Sequence, residues 1–341
     1  MRRRFMSTPK LAIVLVAASA LHGAADAAVI YEFTTAGQSG RFGPSQAQVD
    51  SAYGAGNSLF GQVTSVGGIQ QWTVQTSGLY QITAAGAAGG QALSNGSTTT
   101  AGRGALLVGQ FTFEAGDILD ILVGQMGGST NYQTAGAGGG GGSFVVGEGD
   151  NPLLIAAGGN GEAATAYGYG NAPDGNATAD TQTPPSSVSN RRYGAGGGGF
   201  SQEGLHPASG NNTQPSWGGR GATYLQGGAG GYSFNSGAYT GEGGFGGGGG
   251  TVHTGGGGGG WIGGQPVYHA DPTDYHAFDS AVGALSYNTG LNAFGLSGAN
   301  NDHGYVTVEL LEAVSDVPAP GALALFGLAA MGLGIARRRT S

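Results

Sequence analysis

The chain has 341 residues, 75 of them glycine, with no cysteine and only 12 prolines, which excludes disulfides, thiolate metal sites and a collagen register. Seven of its 12 basic residues lie in the two termini, so the body between them sets Arg41, Arg103, Arg191, Arg192 and Arg220 against 19 of the 20 acids (all but Asp26), a net of −14. Nucleic acid is thereby excluded as a partner, since so acidic a body cannot neutralise phosphates, and the lack of body lysine excludes a Walker loop.

Residues 1–27 read as a secretory signal peptide. Arg2, Arg3, Arg4 and Lys10 form the charged start, Leu11 to Leu21 is apolar, and Ala25-Asp26-Ala27 fits the small-x-small cleavage rule. The mature chain then starts near Ala28. Val29 to Phe33 is a plausible first strand. Residues 37–68 read mostly as loop, with Val49, Leu59 and Phe60 as contacts to a core. From Gln71 onward the strand signal sharpens. Gln71 to Val74 starts a strand and Thr76-Ser77-Gly78 is a turn. Leu79 to Ala85 alternates, with Tyr80, Ile82 and Ala84 on one face. Gly104 to Phe113 is a strand with Leu107, Phe111 and Phe113 in phase. Glu114 to Asp117 reads as a hairpin turn into Ile118–Val123, where Asp120 is expected to face solvent. Ser143 to Val146, Leu153 to Ala157 and Gly304 to Leu310 complete the pattern. Residues 28–157 with 304–314 are therefore expected to form an all-β antiparallel sandwich.

Between residues 158 and 303 the strand signal nearly vanishes and glycine tracts take over: 194–199, 227–231, 243–250 and 255–260, with an earlier tract at 136–142. The densest stretch, Gly243 to Gly264, suits neither helix nor strand, because interior glycine costs a helix about 1 kcal/mol relative to alanine and gives a strand no side chain to pack. Yet it holds Phe245, Trp261 and Ile262, which flexible linkers lack. Extended helices of three residues per turn, packed side by side and bonded backbone to backbone, satisfy such a sequence. The expectation is a polyglycine-II helix bundle inserted before the last strand of the sandwich.

Candidate sites in this body are few. G-x-G-x-x-G matches at 136–141 and 194–199 lack a βαβ context, so no cofactor is expected. His269, Asp271, Asp274 and His276 form the densest group of metal-ligating side chains, but their spacing fits no known metal loop, and the bland reading is a solvated loop. Trp217, Tyr224, Tyr232, Phe234, Tyr239 and Trp261 lie near the tracts; plugging the bundle–sandwich junction is favoured over stacking on sugars. Asn95, Asn176 and Asn211 open N-x-S/T triplets, read as incidental.

Residues 317–341 are a separate module. Val317-Pro318-Ala319-Pro320 breaks the fold, residues 321–336 are apolar, and Arg337-Arg338-Arg339 ends the span on the cytoplasmic side. The tail resembles the bacterial PEP-CTERM sorting signal at Val317, Pro318, Pro320, Arg337, Arg338 and Arg339; Ala319 stands where that family has glutamate. The resemblance implies secretion, transient inner-membrane anchoring and removal of the tail by an exosortase, a membrane cysteine protease.

The body resembles the glycine-rich extracellular domain of the anaplastic lymphoma kinase and leukocyte tyrosine kinase receptors over residues 70–311. The matching residues are Trp72-Thr73-Val74 with Gly78 to Ile82, Gly86 to Gly90, Ile121 to Gln125, Leu153 to Gly159, Gly243 to Gly264 and His303 to Val306. The resemblance implies a tumour-necrosis-factor-like (TNF-like) sandwich with an inserted polyglycine bundle. It carries no kinase domain with it. The resulting expectation is a non-enzymatic secreted or cell-surface protein working in adhesion or an exopolysaccharide matrix, partnered by an exosortase and by extracellular polysaccharide or surface proteins. Two alternatives are an ice-, surface- or glycan-binding protein using the bundle face, and a receptor-like ligand-binding ectodomain.

Overall fold

The computed structural model describes residues 29–92, 100–132, 134–164, 171–178, 194–205, 218–233, 241–251, 254–265 and 282–314, and the backbone of 208–209, 212–213, 268–269 and 278–279. In chain order the strands are β1 (Ile30–Phe33), β2 (Val63–Val66), β3 (Ile69–Thr73), β4 (Gly78–Ala85), β5 (Gly104–Phe113), β6 (Ile118–Leu122), β7 (Ser143–Gly147) and β8 (Asn151–Ala156). Four two-residue pieces follow, β9 (Ala208–Ser209), β10 (Asn212–Thr213), β11 (Tyr268–His269) and β12 (Phe278–Asp279). Then come β13 (Tyr287–Asn288), β14 (Leu291–Asn300) and β15 (Tyr305–Ala313). One helix, α1 (Gln46–Ala52), lies between β1 and β2.

Two antiparallel sheets carry the fold. One has the order β1-β15-β4-β5-β14 and the other β13-β8-β7-β6-β3-β2. Between them lies a core built from the alternating residues of each sheet: Tyr80, Ile82, Ala84, Leu107, Val306 and Val308 from the first, Trp72, Leu119, Ile121, Val145 and Leu154 from the second. Period-two burial puts every second side chain of a strand inside, and β4 follows it from Tyr80 to Ala84. Phe33 meets Trp72 edge-on at 6.0 Å and Tyr53 at 6.4 Å, tying β1 and α1 to the core. The Tyr53 hydroxyl donates to Gln70 at 2.6 Å and accepts from the Thr34 amide at 2.9 Å. These bonds satisfy buried polar groups that would otherwise cost about 1–3 kcal/mol each.

Four expectations need correction. Glu114–Asp117 is not a hairpin turn, because β5 and β6 belong to different sheets; the turn passes the chain across the sandwich, held by Val74 N–H donating to Asp117 and Gly116 N–H to Val74. Residues 291–300, counted with the glycine region, are a ten-residue strand paired to β5. Their alternation is broken by register shifts and by left-handed Asn292 (φ 50) and Gly298 (φ 60), which hides the strand from a period-two reading. Residues 46–52 are helical rather than loop, started by Gln48 Oε1 accepting from the Ser45 amide at 2.9 Å. Val49 and Leu59 are buried as expected, but Phe60 is 59% exposed.

Candidate functional site

The six-stranded sheet is covered on its second face as well. There Leu122, Phe144, Val146 and Ile155 pack against Phe200, Tyr224 and Phe245 from the glycine region. That is why β7 is buried on both faces.

Above this layer the glycine segments bond to one another with a repeat of three. In residues 137–142, Gly138 and Gly141 donate to Gly128 and Gln125. Gly139 and Gly142 donate to Gly249 and Gly246, and Ala137 and Gly140 to Glu162 and Gly159. One backbone thus serves three neighbours in rotation. Residues 158–162 do the same: Gly158 and Gly161 donate to Gly259 and Gly256, Gly159 and Glu162 to Ala87 and Gly90. In residues 256–260, Gly256 and Gly259 donate to Ala137 and Gly140, while Gly257 and Gly260 donate to Ala195 and Gly198. A strand alternates with period two and an α-helix bonds within itself; this network does neither. It also spreads beyond residues 158–303, since segments 86–91, 124–130 and 135–142 take part.

Side chains are excluded by this spacing. A Cβ at Gly138 would meet the carbonyl oxygen of Glu242, one at Gly141 that of Phe245, and one at Gly256 that of Gly249. Asn160 is one of the polar side chains buried in this interior, with Gln125, Glu162 and Thr251. Its Nδ2 donates to the carbonyls of Gln265 and Val282 at 2.9 and 3.3 Å, and its Oδ1 accepts from Gly258 N–H at 2.9 Å. The side-chain amide there does the work of a peptide group.

At the junction of the glycine segments and the six-stranded sheet the rings form a continuous stack. Phe144–Tyr224 are 5.3 Å apart, Tyr224–Phe200 5.3 Å, Phe200–Trp261 5.5 Å and Trp261–Tyr287 4.3 Å. Tyr224 is buried, and its hydroxyl pKa is pushed far above the ordinary range by desolvation and by the nearby Asp120 and Asp150 carboxylates. Asp120 is half-buried rather than solvent-facing, and its Oδ1 has no hydrogen-bond partner among the described residues. Arg41 clamps the other side. Its Nε donates to the Gly230 carbonyl at 2.9 Å, and its guanidinium lies 5.2 Å from the Phe42 ring and 5.6 Å from the Tyr232 ring. Arg220 pairs with Glu203 at 2.5 Å.

Of the residues singled out in the sequence, Tyr224 and Trp261 enter the stack and Tyr232 packs on Arg41. Phe144, Phe200 and Tyr287 extend the stack; no periodic signal in the sequence points to them. Asn176 holds its own turn, accepting from Thr178 N–H at 2.9 Å. His269 lies in β11, opposite Phe278 of β12. Asp271, Asp274 and His276 lie outside the described residues, as do Asn95, Asn211, Trp217, Phe234 and Tyr239. The signal residues Ala25 and Ala27 and the tail residues Val317, Pro318, Pro320, Arg337, Arg338 and Arg339 lie outside them too. Among the described residues no three His, Asp or Glu side chains gather as a metal site.

The class defined by the fold is an antiparallel β protein whose six-stranded sheet carries a layer of glycine segments. Residues 316–339 match the PEP-CTERM protein-sorting motif. That motif implies an exported, exosortase-processed protein of the surface or extracellular space. The chain is also similar to the leukocyte tyrosine kinase receptor of Mus musculus, 38% identical over 139 residues, which is 40% of this chain. The chain spans only 14% of that receptor's length.

Proposed function

We propose that this is a non-catalytic secreted or cell-surface protein, a rigid binding or structural module in adhesion or an exopolysaccharide matrix. The observation that carries the proposal is the sorting motif at 316–339. It directs the chain through an exosortase, with the tail as a transient inner-membrane anchor. The body then acts as a TNF-like sandwich carrying a bundle of polyglycine-II helices. The three-residue repeat of donors in 137–142, 158–162 and 256–260 supports the bundle, because such helices have three residues per turn and no internal hydrogen bonds. The partial likeness to the leukocyte tyrosine kinase receptor is in keeping with the family resemblance of residues 70–311 on which this architecture is expected. The receptor's kinase activity is not part of the proposal.

The test is the mass and location of the mature chain in its own host, with and without the exosortase. A surface or medium form that ends near residue 317, and that accumulates uncut at the membrane when the exosortase is deleted, is the expected result. A mature form that keeps Arg337–Arg339 in both strains would overturn it.

One observation favours a second reading as a glycan-binding protein. Trp261 and Tyr287 are only half-buried and stack at 4.3 Å, leaving ring surface at the bundle edge. Binding to a glycan array that Trp261→Ala abolishes would select that reading.

A further inference from the structure

The five-stranded sheet is bounded by β14, and three of the protein's exposed large apolar side chains lie on it: Leu291 at 69%, Phe294 at 54% and Leu296 at 49%. Register places Leu296 beside Leu106, Phe294 beside Val108 and Leu291 beside Gln110. Residues opposite one another in an antiparallel pair share a face, so these six side chains form one surface on the side turned away from Leu107 and the core. On β4 the surface continues with Thr83 and Gln81, while Ala85, in the row of Leu106, is fully buried. No position in these three rows is ionisable, and the nearest acid in register, Glu309, stands one strand further on β15.

We propose that this surface is a face through which two copies of the protein associate. Charge selects the occupant. A body of net −14 repels a second copy wherever acids face each other. It also offers a cationic partner many better places to bind than a patch with no charge. A second copy presents the same acid-free apolar patch, which a two-fold contact needs, and interface cores are depleted of charge in this way. The contact is made face to face, not by adding a strand. The register shifts on either side of Phe294 and Leu296, with left-handed Asn292 and Gly298, block continuation of the ladder past β14. Three strands by five residues, from Leu106 to Gln110, span about 14 Å by about 16 Å, below the size of stable interfaces, so the dimer is weak and concentration-dependent.

The absence of cysteine makes a clean test. The mature protein from its host is followed by sedimentation velocity across a concentration series. Single cysteines then replace Leu291, Phe294 or Val66, the last an exposed control on the other sheet. Expected are a monomer–dimer equilibrium, disulfide-linked dimers forming at least ~10-fold faster with Leu291→Cys or Phe294→Cys than with Val66→Cys, and a monomeric Phe294→Asp protein with unchanged melting temperature; the tenfold margin is a kinetic image of about 1.4 kcal/mol of preferential encounter. Should Phe294→Asp lower the melting temperature, the cross-linking rates decide. A monomer at every concentration overturns the proposal, and so does a dimer that cross-links no faster at the patch than at Val66.

Discussion

A methyl group on Gly141 would fall on the carbonyl oxygen of Phe245, itself the acceptor for Gln125 N–H. The neighbour is backbone fixed on both sides, so it has no rotamer to yield. Gly141→Ala is therefore expected to cost more than about 3 kcal/mol, in the range of severe core lesions. Gly54→Ala, whose Cβ has only a 3.7 Å contact with the Ser51 carbonyl oxygen, should change stability little. Paired thermal melts distinguish the two, and equal midpoints would contradict the packing argument. Asn160→Ala leaves the buried Gly258 N–H without a partner, while the Gln265 and Val282 carbonyls keep the bonds they accept from each other's N–H. Its cost is expected at about 1–3 kcal/mol, that of one unsatisfied buried donor. His303 adds a pH term. Its Nδ1 accepts from Met126 N–H at 3.0 Å, and burial lowers its pKa below the ordinary 6.5 against the opposing pull of Asp302. The unfolded chain then binds the proton more readily than the folded one. Stability is fully present above pH 6.5, falls as pH drops below that value, and levels off beneath the folded-state pKa. In a His303→Leu variant the slope of melting temperature between pH 7 and pH 5 should become shallower (about the ordinary histidine range).

At the scale of elements, the aromatic stack joins the six-stranded sheet to the glycine segments. Phe245 is fully buried among Leu122, Phe144 and Tyr224, and it also fills the space above Gly43. Phe245→Ala should cost about 3–5 kcal/mol, and it should loosen the glycine segments before the strands, seen as faster amide exchange at 244–249 than in β4. Uniform loss across both layers would show that Phe245 is not what fastens the glycine segments to the sheet. The strands facing the core were legible because their alternation is regular: Tyr80-Ile82-Ala84 and Leu119-Ile121-Val123 stand buried where period two places them. β14 was not, because bulges at its two ends break the phase and its apolar residues face outward. The crossing at 114–117 was misread for another reason. A tight turn between two alternating runs has the same local chemistry whether the runs pair or part to different sheets. Asp120 was misplaced because one face of its strand, outward in a lone sandwich, is covered here by the glycine layer.

For the whole molecule, the central question is how a chain so rich in glycine holds a fixed shape. Glycine loses more backbone freedom on folding than any other residue, at roughly 1–2 kcal/mol per residue, and brings no apolar side chain to offset it. What remains is the peptide group. Packing without Cβ atoms brings backbones close enough that amides of residues 137–142 and 256–260 reach carbonyls of neighbouring segments at 2.8–3.2 Å, each bond worth about 1 kcal/mol net. The ledger favours order only if the ends are held, and here they are. Segment 135–142 runs directly into β7, segment 157–162 out of β8, and segment 86–91 out of β4. The sandwich supplies the hydrophobic stability, and the glycine layer is anchored to it at each exit. Hydrogen exchange tests this directly. The amides of Gly138–Gly142 and Gly256–Gly260 should exchange as slowly as those of β4 and β15, since both open only with the sandwich. Exchange of the tracts at unprotected rates beside slow strands would mean that the layer opens on its own, and the rigid-scaffold reading of the protein would fall with it.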